Sequence, residues 1–295
     1  MQDNRVKLRD GRTLGFADYG APAATPVMLF HGTPGSRIYG LENDPLPDRF
    51  GIRVVCPERP GFGLSTPSPS RKILDWSADV AELADRLGLD RFHVAGESGG
   101  GPYVLACAIQ MPDRVLSATL VSTVAPPETL RLTKDMNLGN RLGFFFARYA
   151  PFLTKVLSAS FADALARQPD KVMHQMISRL CEWDRRILEG AEDRKRAMLL
   201  LHFQEAFRQG GAGHYCDTLL VSRRWELDFS KLSVPVILWH GECDNLVPLE
   251  PARELSGMIP DCETHLIAGA GHFLLESESI AAEILTRLLS VQSRV

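Results

Sequence analysis

A serine between glycines, Gly96-Glu97-Ser98-Gly99-Gly100, stands where the apolar run Phe92-His93-Val94-Ala95 gives way to a stretch opened by Pro102. A serine hydroxyl is a weak nucleophile. It attacks a carbonyl carbon only when a base takes its proton and a further group orients that base. Flanking glycines suit such a serine, because a sharp strand-to-helix turn leaves little space for side chains beside it. Further along, Gly241-Glu242-Cys243-Asp244 follows the apolar residues 234–240, and Gly269-Ala270-Gly271-His272 follows residues 263–267. Both groups thus fall at the carboxyl ends of expected strands, where open α/β sheets gather reactive groups. The order serine, acid, histidine predicts Ser98 as nucleophile, His272 as general base and Asp244 as the orienting carboxylate. Glu242, in the same turn, is the alternative acid, while Glu250 reads as a surface residue of the next helix.

Acyl transfer also needs hydrogen-bond donors already aimed at the developing oxyanion. The N–H of Gly99, just past the nucleophile, is one expected donor. The second is expected in His31-Gly32-Thr33-Pro34-Gly35, after the apolar residues 26–30. Pro34 has no N–H, which leaves Thr33. The other histidines read as structural: His93 on a buried strand, His240 bracing the loop of Asp244, His265 at a strand edge, and His174, His202 and His214 exposed or lining a pocket.

These groups need a scaffold. Residues 5–9 and 13–19 read as strands joined by the Asp10-Gly11 turn. Strands at 26–30, 53–56, 92–96 and 115–122 alternate with helices at 74–87 and 102–111, which predicts a mainly parallel sheet covered on both faces. From about residue 128 to 224 the pattern turns helical, with candidates at 140–149, 151–159, 170–181, 184–189 and 194–207. A strand at 234–240, a helix at 249–258, a strand at 263–267 and a helix at 279–289 complete the chain. The expected organisation is a split α/β domain, 1–124 and 231–295, carrying an all-helical insertion at 125–230.

Composition narrows the function classes. Of 295 residues, 45% are hydrophobic and 23% charged, and the formal net charge is −3, which gives no basic footprint for nucleic acid. Asp193-Arg194-Lys195-Arg196, near Glu189 and Glu192, reads as a solvated helix face. The greasiest region, residues 142–165, is broken by Arg148, Pro151, Lys155 and Asp163 and reads as amphipathic helices rather than a membrane span. The N-terminus opens on polar residues without an export signal, and six cysteines form no Cys-x-x-Cys pair. The expectations are therefore a cytoplasmic protein with reduced thiols, no metal, no cofactor, no nucleic-acid or membrane partner, a small-molecule substrate, and a monomeric or homodimeric state.

The segments His31-Gly32-Thr33-Pro34-Gly35, Arg59-Pro60-Gly61-Phe62-Gly63-Leu64-Ser65, Gly96-Glu97-Ser98-Gly99-Gly100, Gly241-Glu242-Cys243-Asp244 and Gly271-His272 together resemble the α/β-hydrolase superfamily, in its capped serine-hydrolase branch of esterases and proline iminopeptidases. The resemblance implies an eight-stranded, mostly parallel sheet with helices on both faces and a helical cap over the site. It also implies that Phe144, Phe145, Phe146, Phe152 and Leu153 of the cap border the substrate. Ser98 stands where the epoxide hydrolases and haloalkane dehalogenases of this fold carry aspartate. Glu97 and Gly99 depart from the Gly-Gly-Ser-Trp-Gly of proline iminopeptidases. The activity implied is hydrolysis of a small carboxylic ester, lactone or thioester. The same triad also serves amide, C–C bond or perhydrolase chemistry, and some members of the fold only bind a ligand.

Overall fold

A computed structural model describes residues 3–39, 41, 44–128, 135–189 and 194–291 of the chain. Glu192 and Asp193, of the expected charged helix face, lie outside these residues. The strands are β1 (Asn4–Lys7), β2 (Thr13–Tyr19), β3 (Thr25–Phe30), β4 (Ile52–Pro57), β5 (Phe92–Glu97), β6 (Val115–Val121), β7 (Val236–Gly241) and β8 (Glu263–Ile267). They form one sheet in the order β1-β2-β4-β3-β5-β6-β7-β8. β2 runs antiparallel to both β1 and β4, and every pair from β4 to β8 is parallel. The expected eight-stranded, mostly parallel α/β sheet is therefore present.

β4, β5 and β7 are almost wholly buried, as strands sandwiched between two helical layers must be. The helices beside the sheet are α1 (Leu46–Phe50), α2 (Trp76–Leu87), α3 (Gly101–Gln110) and the two that follow β7 and β8. α2 and α3 pack on one face through Val80, Leu83, Val104 and Leu105, each without measurable exposure. α2 stops at Gly88, whose left-handed φ of 66° lets its N–H reach back to the carbonyls of Ala84 and Asp85.

Between β6 and β7 the chain departs from the sheet. It forms α4 (Leu138–Tyr149), α5 (Pro151–Arg167), α6 (Pro169–Ile177), α7 (Glu182–Glu189), α8 (Arg194–Ala206) and α9 (Ala212–Val221). These helices build their own apolar core, in which Leu165, Met173, Ile177, Leu188 and Phe203 surround Phe62 from the sheet domain. After the insertion come α10 (Leu249–Met258), which joins α2 and α3 on their face, and α11 (Glu278–Ser290), whose Leu288 packs on the opposite face against Val27 and Val54.

The structure adds two helices to the sequence expectation, α1 and α9, and lengthens α5 by eight residues beyond 159. α9 escaped detection because Gly210, Gly211 and Gly213 surround its start. Its His-Tyr-Cys-Asp-Thr run is also poor in strong helix formers.

Candidate active site

Ser98 sits at the junction of β5 and α3 with φ of 51°, a left-handed value that costs a non-glycine residue of order 1 kcal/mol or more. Surrounding structure enforces it. A side chain at Gly96 would lie 2.7 Å from Val104 and 3.0 Å from the Gly100 backbone, so β5 can press against α3 only with glycine there. The Ser98 carbonyl accepts from the Val124 N–H at 3.2 Å, tying the turn to the end of β6.

Asp244 and His272, which come from the loops after β7 and β8, are brought together. Nδ1 of His272 lies 2.7 Å from Oδ2 of Asp244, and each residue is only 4% exposed. The other carboxylate oxygen of Asp244 accepts the N–H groups of Leu246 and Val247 at 2.8 and 2.9 Å, which fixes its rotamer. His240 braces this loop, its Nε2 lying 2.9 Å from the Val247 carbonyl. Glu242, the alternative acid, points into solvent, and Glu250 pairs on the surface with Arg253.

Two groups that sequence spacing did not reveal hold the His272 loop. The Ser122 hydroxyl donates to the His272 carbonyl at 2.7 Å. Asp184, fully buried on α7, accepts the N–H groups of His272 and Phe273 at 3.0 Å each. A carboxylate of the insertion thus clamps the backbone of the histidine.

Thr33 and Gly99 also meet. A methyl group added at Gly99 would lie 3.1 Å from the Thr33 nitrogen and would collide with its hydroxyl, so only glycine allows this approach. The Thr33 hydroxyl donates to Asp217 of α9 at 2.7 Å. Asp217 also accepts Arg59 (2.7 and 2.9 Å), Arg71 (2.6 Å) and the Tyr103 hydroxyl (2.7 Å). Arg59 in turn donates to the carbonyls of His31 and Gly32, at 2.5 and 2.7 Å. The loop carrying Thr33 is therefore held through its carbonyls by the Arg59 guanidinium and through its hydroxyl by a carboxylate of α9. Burial opposes ionisation of Asp217, but Arg59 and Arg71 outweigh it and hold the carboxyl well below the usual carboxylate range. Asp217 and Arg59 are both fully buried, so either left alone would be an uncompensated charge.

Burial likewise pushes the His272 imidazole toward neutrality. Asp244, with Glu97 and Asp184 beyond it, overrides that and raises His272 to about 9. Glu97, beside Ser98, is itself raised to about 7 by burial, and the His272 charge opposes the rise. A pKa raised on folding contributes stability that is full below the unfolded value of about 6.5 and lost as pH climbs through about 9. NMR titration of the His272 imidazole is expected to give a midpoint near 9, and Glu97→Gln should lower it. A midpoint in the ordinary histidine range, unmoved by that substitution, would show that the carboxylates do not act on the ring.

The remaining predicted residues are dispersed. Phe144 is half-buried against the main core, and Phe146 stacks edge-on with Phe145 at 5.8 Å. Phe145, Phe152 and Leu153 are solvent-exposed on the insertion, at 43%, 73% and 40%. His93 is satisfied by Ser117 and His214 by Ser158. His202 is not exposed; it is buried, bonded to the Ile38 carbonyl, and lowered to about 4 by burial.

A family model described as the alpha/beta hydrolase fold matches residues 25–279. The chain belongs to the alpha/beta hydrolase fold family. Its relatives include a 2-hydroxy-6-oxo-2,4-heptadienoate hydrolase of Pseudomonas putida, 28% identical over 92% of this chain and 90% of that protein. A second is the dihydrolipoyllysine-residue acetyltransferase component of the acetoin cleaving system of Cupriavidus necator, 34% identical over 89% of this chain; the match spans 62% of that protein's length. Among solved structures, a thermophilic esterase from Thermogutta terrifontis superposes with a TM-score of 0.69 over 99% of this chain and 100% of its own, at 23% identity. That likeness shows this alpha/beta hydrolase's fold and nothing finer. Among the described residues, no helix is long and apolar enough to cross a membrane.

Proposed function

We propose that the chain is a serine hydrolase of small carboxylic esters, acting through an acyl-enzyme on Ser98. The observation that carries this reading is the 2.7 Å contact between His272 Nδ1 and Asp244 Oδ2, in a fold whose serine occupies a left-handed strand-to-helix turn. Asp244 holds the imidazole with Nδ1 protonated, so Nε2, once it has lost its own proton, is the nitrogen that works as the base, and turnover is expected to rise as pH climbs toward about 9. Ser98 Oγ bonds to the carbonyl carbon as its proton passes to Nε2, and the carbonyl electrons move onto oxygen. The N–H groups of Thr33 and Gly99 stabilise that oxyanion. As the oxyanion collapses, the C–O bond to the alcohol breaks and the leaving oxygen takes the proton from His272. A water molecule then attacks the acyl carbon, giving its proton to His272, and Ser98 departs with that proton as the acid is released.

In this reading helices α4 to α9 act as a cap, connected to the catalytic loops by Asp184 and Asp217. Phe144 and Phe146, half-buried on α4, are in this reading the cap aromatics that border the acyl group. Six free thiols suit a reducing, cytoplasmic compartment. The named hydrolase relative supports hydrolysis, and the ester reading takes its support from the fold shared with the Thermogutta terrifontis esterase.

The test is a parallel assay of purified protein on short aryl esters, lactones and aminoacyl arylamides. Ester turnover is expected to exceed amide turnover by roughly 100-fold or more, since an aryloxide leaves far more readily than an amine. Amide turnover that matches or exceeds ester turnover would overturn the ester assignment.

A further inference from the structure

Helix α4 is apolar on two sides. Phe144 and Ala147 face the protein, the latter without measurable exposure. Leu138, Leu142, Phe145 and Tyr149, spaced by four, three and four, form a second stripe that is 43–62% exposed. α5 adds a broader apolar face of Phe152, Leu153, Val156 and Leu157, which are 40–73% exposed. Single exposed apolar side chains are ordinary, but a stripe continued across two contacting helices marks a surface that something covers.

The charges around the stripe say what. Between Asp135 and Asp163 the chain has no carboxylate, yet it carries Arg141, Arg148 and Lys155. Arg148 and Lys155 are exposed, and Asp163 is occupied by Arg167 at 2.8 Å. In a chain of net charge −3 this is a local excess of positive charge on an apolar face. A second copy presenting the same segment would bring no carboxylate to these cations. An anionic lipid surface satisfies both features: headgroup phosphates attract the arginines and lysine, while the acyl boundary takes up the leucines and aromatic rings.

We propose that the α4–α5 face docks on anionic phospholipid surfaces, lying in the interface without spanning it. The sequence expectation of no membrane contact rested on the lack of a spanning stretch, and an interfacial helix needs none. The proposal does not depend on the chemistry assigned to Ser98.

The test is co-sedimentation of the intact protein with sucrose-loaded vesicles of phosphatidylcholine, alone or with about one quarter phosphatidylglycerol. Binding to the anionic vesicles is expected to be roughly tenfold or more tighter, and to weaken as salt is raised to about 0.5 M. Phe152→Ser combined with Leu157→Ser, and separately Arg148→Gln combined with Lys155→Gln, are each expected to weaken it by roughly tenfold. These are exposed positions, and an unchanged thermal midpoint confirms folding of each variant. Wild-type protein left in the supernatant would overturn the proposal. So would serine variants that sediment like the wild type, or a dimer in sedimentation velocity that the serine variants dissociate, which assigns the face to a second copy.

Discussion

Replacing Ser98 with alanine is expected to lower turnover of a short aryl ester by about 10⁴- to 10⁶-fold while leaving its KM nearly unchanged. In the proposed mechanism the substitution removes the oxygen that bonds to substrate, and it leaves the contacts that hold the turn. Gly96 still admits Val104, Val124 still binds the carbonyl at position 98, and the His272–Asp244 contact does not involve the serine side chain. In the same mechanism the residual rate is expected to come from the N–H groups of Thr33 and Gly99 acting on water attack. Turnover within tenfold of the wild type would mean that the bond-forming group lies elsewhere.

Asp217→Ala is expected to have the second largest effect, on stability first and turnover second. It leaves Arg59 and Arg71 buried with their shared counterion gone, a loss of about 3–5 kcal/mol. For a chain of this size that is a fall in thermal midpoint of roughly 10 °C. The expected pH dependence has a definite sign. The carboxyl is held below its unfolded value, so its contribution is complete at pH above about 4 and disappears as acid protonates it. The wild-type advantage over the variant should therefore shrink on acidification, as scanning calorimetry across pH would show. Asp217→Asn keeps the volume and an acceptor for Thr33 or Arg71, and is expected to recover part of the stability. Because Arg59 also holds the carbonyls of His31 and Gly32, both variants should lose kcat more than KM. An equal loss in both constants, with no change in midpoint, would separate Asp217 from the Thr33 loop.

The candidate catalytic residues could be read from the sequence because their signals are local. Ser98 lies in a glycine pattern that only a tight turn requires, and Asp244 and His272 each follow an apolar strand. The supporting groups were hidden because their partners are distant. Asp217 meets Arg59 across 158 positions, and Asp184 meets His272 across 88, and no periodicity encodes such pairings. One signal was available: Asp217 is a lone carboxylate in an otherwise uncharged run from Ala212 to Val221. A charge in such a run is stable only when paired. The aromatic cluster of α4 and α5 illustrates the opposite limit. Its residue types promise burial, yet Phe145 and Phe152 face outward, because α4 and α5 reach α9 through their other sides.

The chemistry assigned here is most directly tested by finding where an acyl group resides during turnover. An aryl ester mixed with wild-type protein and quenched in acid within milliseconds should release phenol in a burst equal to the enzyme present. Peptide mapping by mass spectrometry should place the acyl mass on the peptide that contains Ser98. Steady turnover with no burst and no acylated peptide, or an acyl mass on any other residue, would contradict Ser98 as the nucleophile.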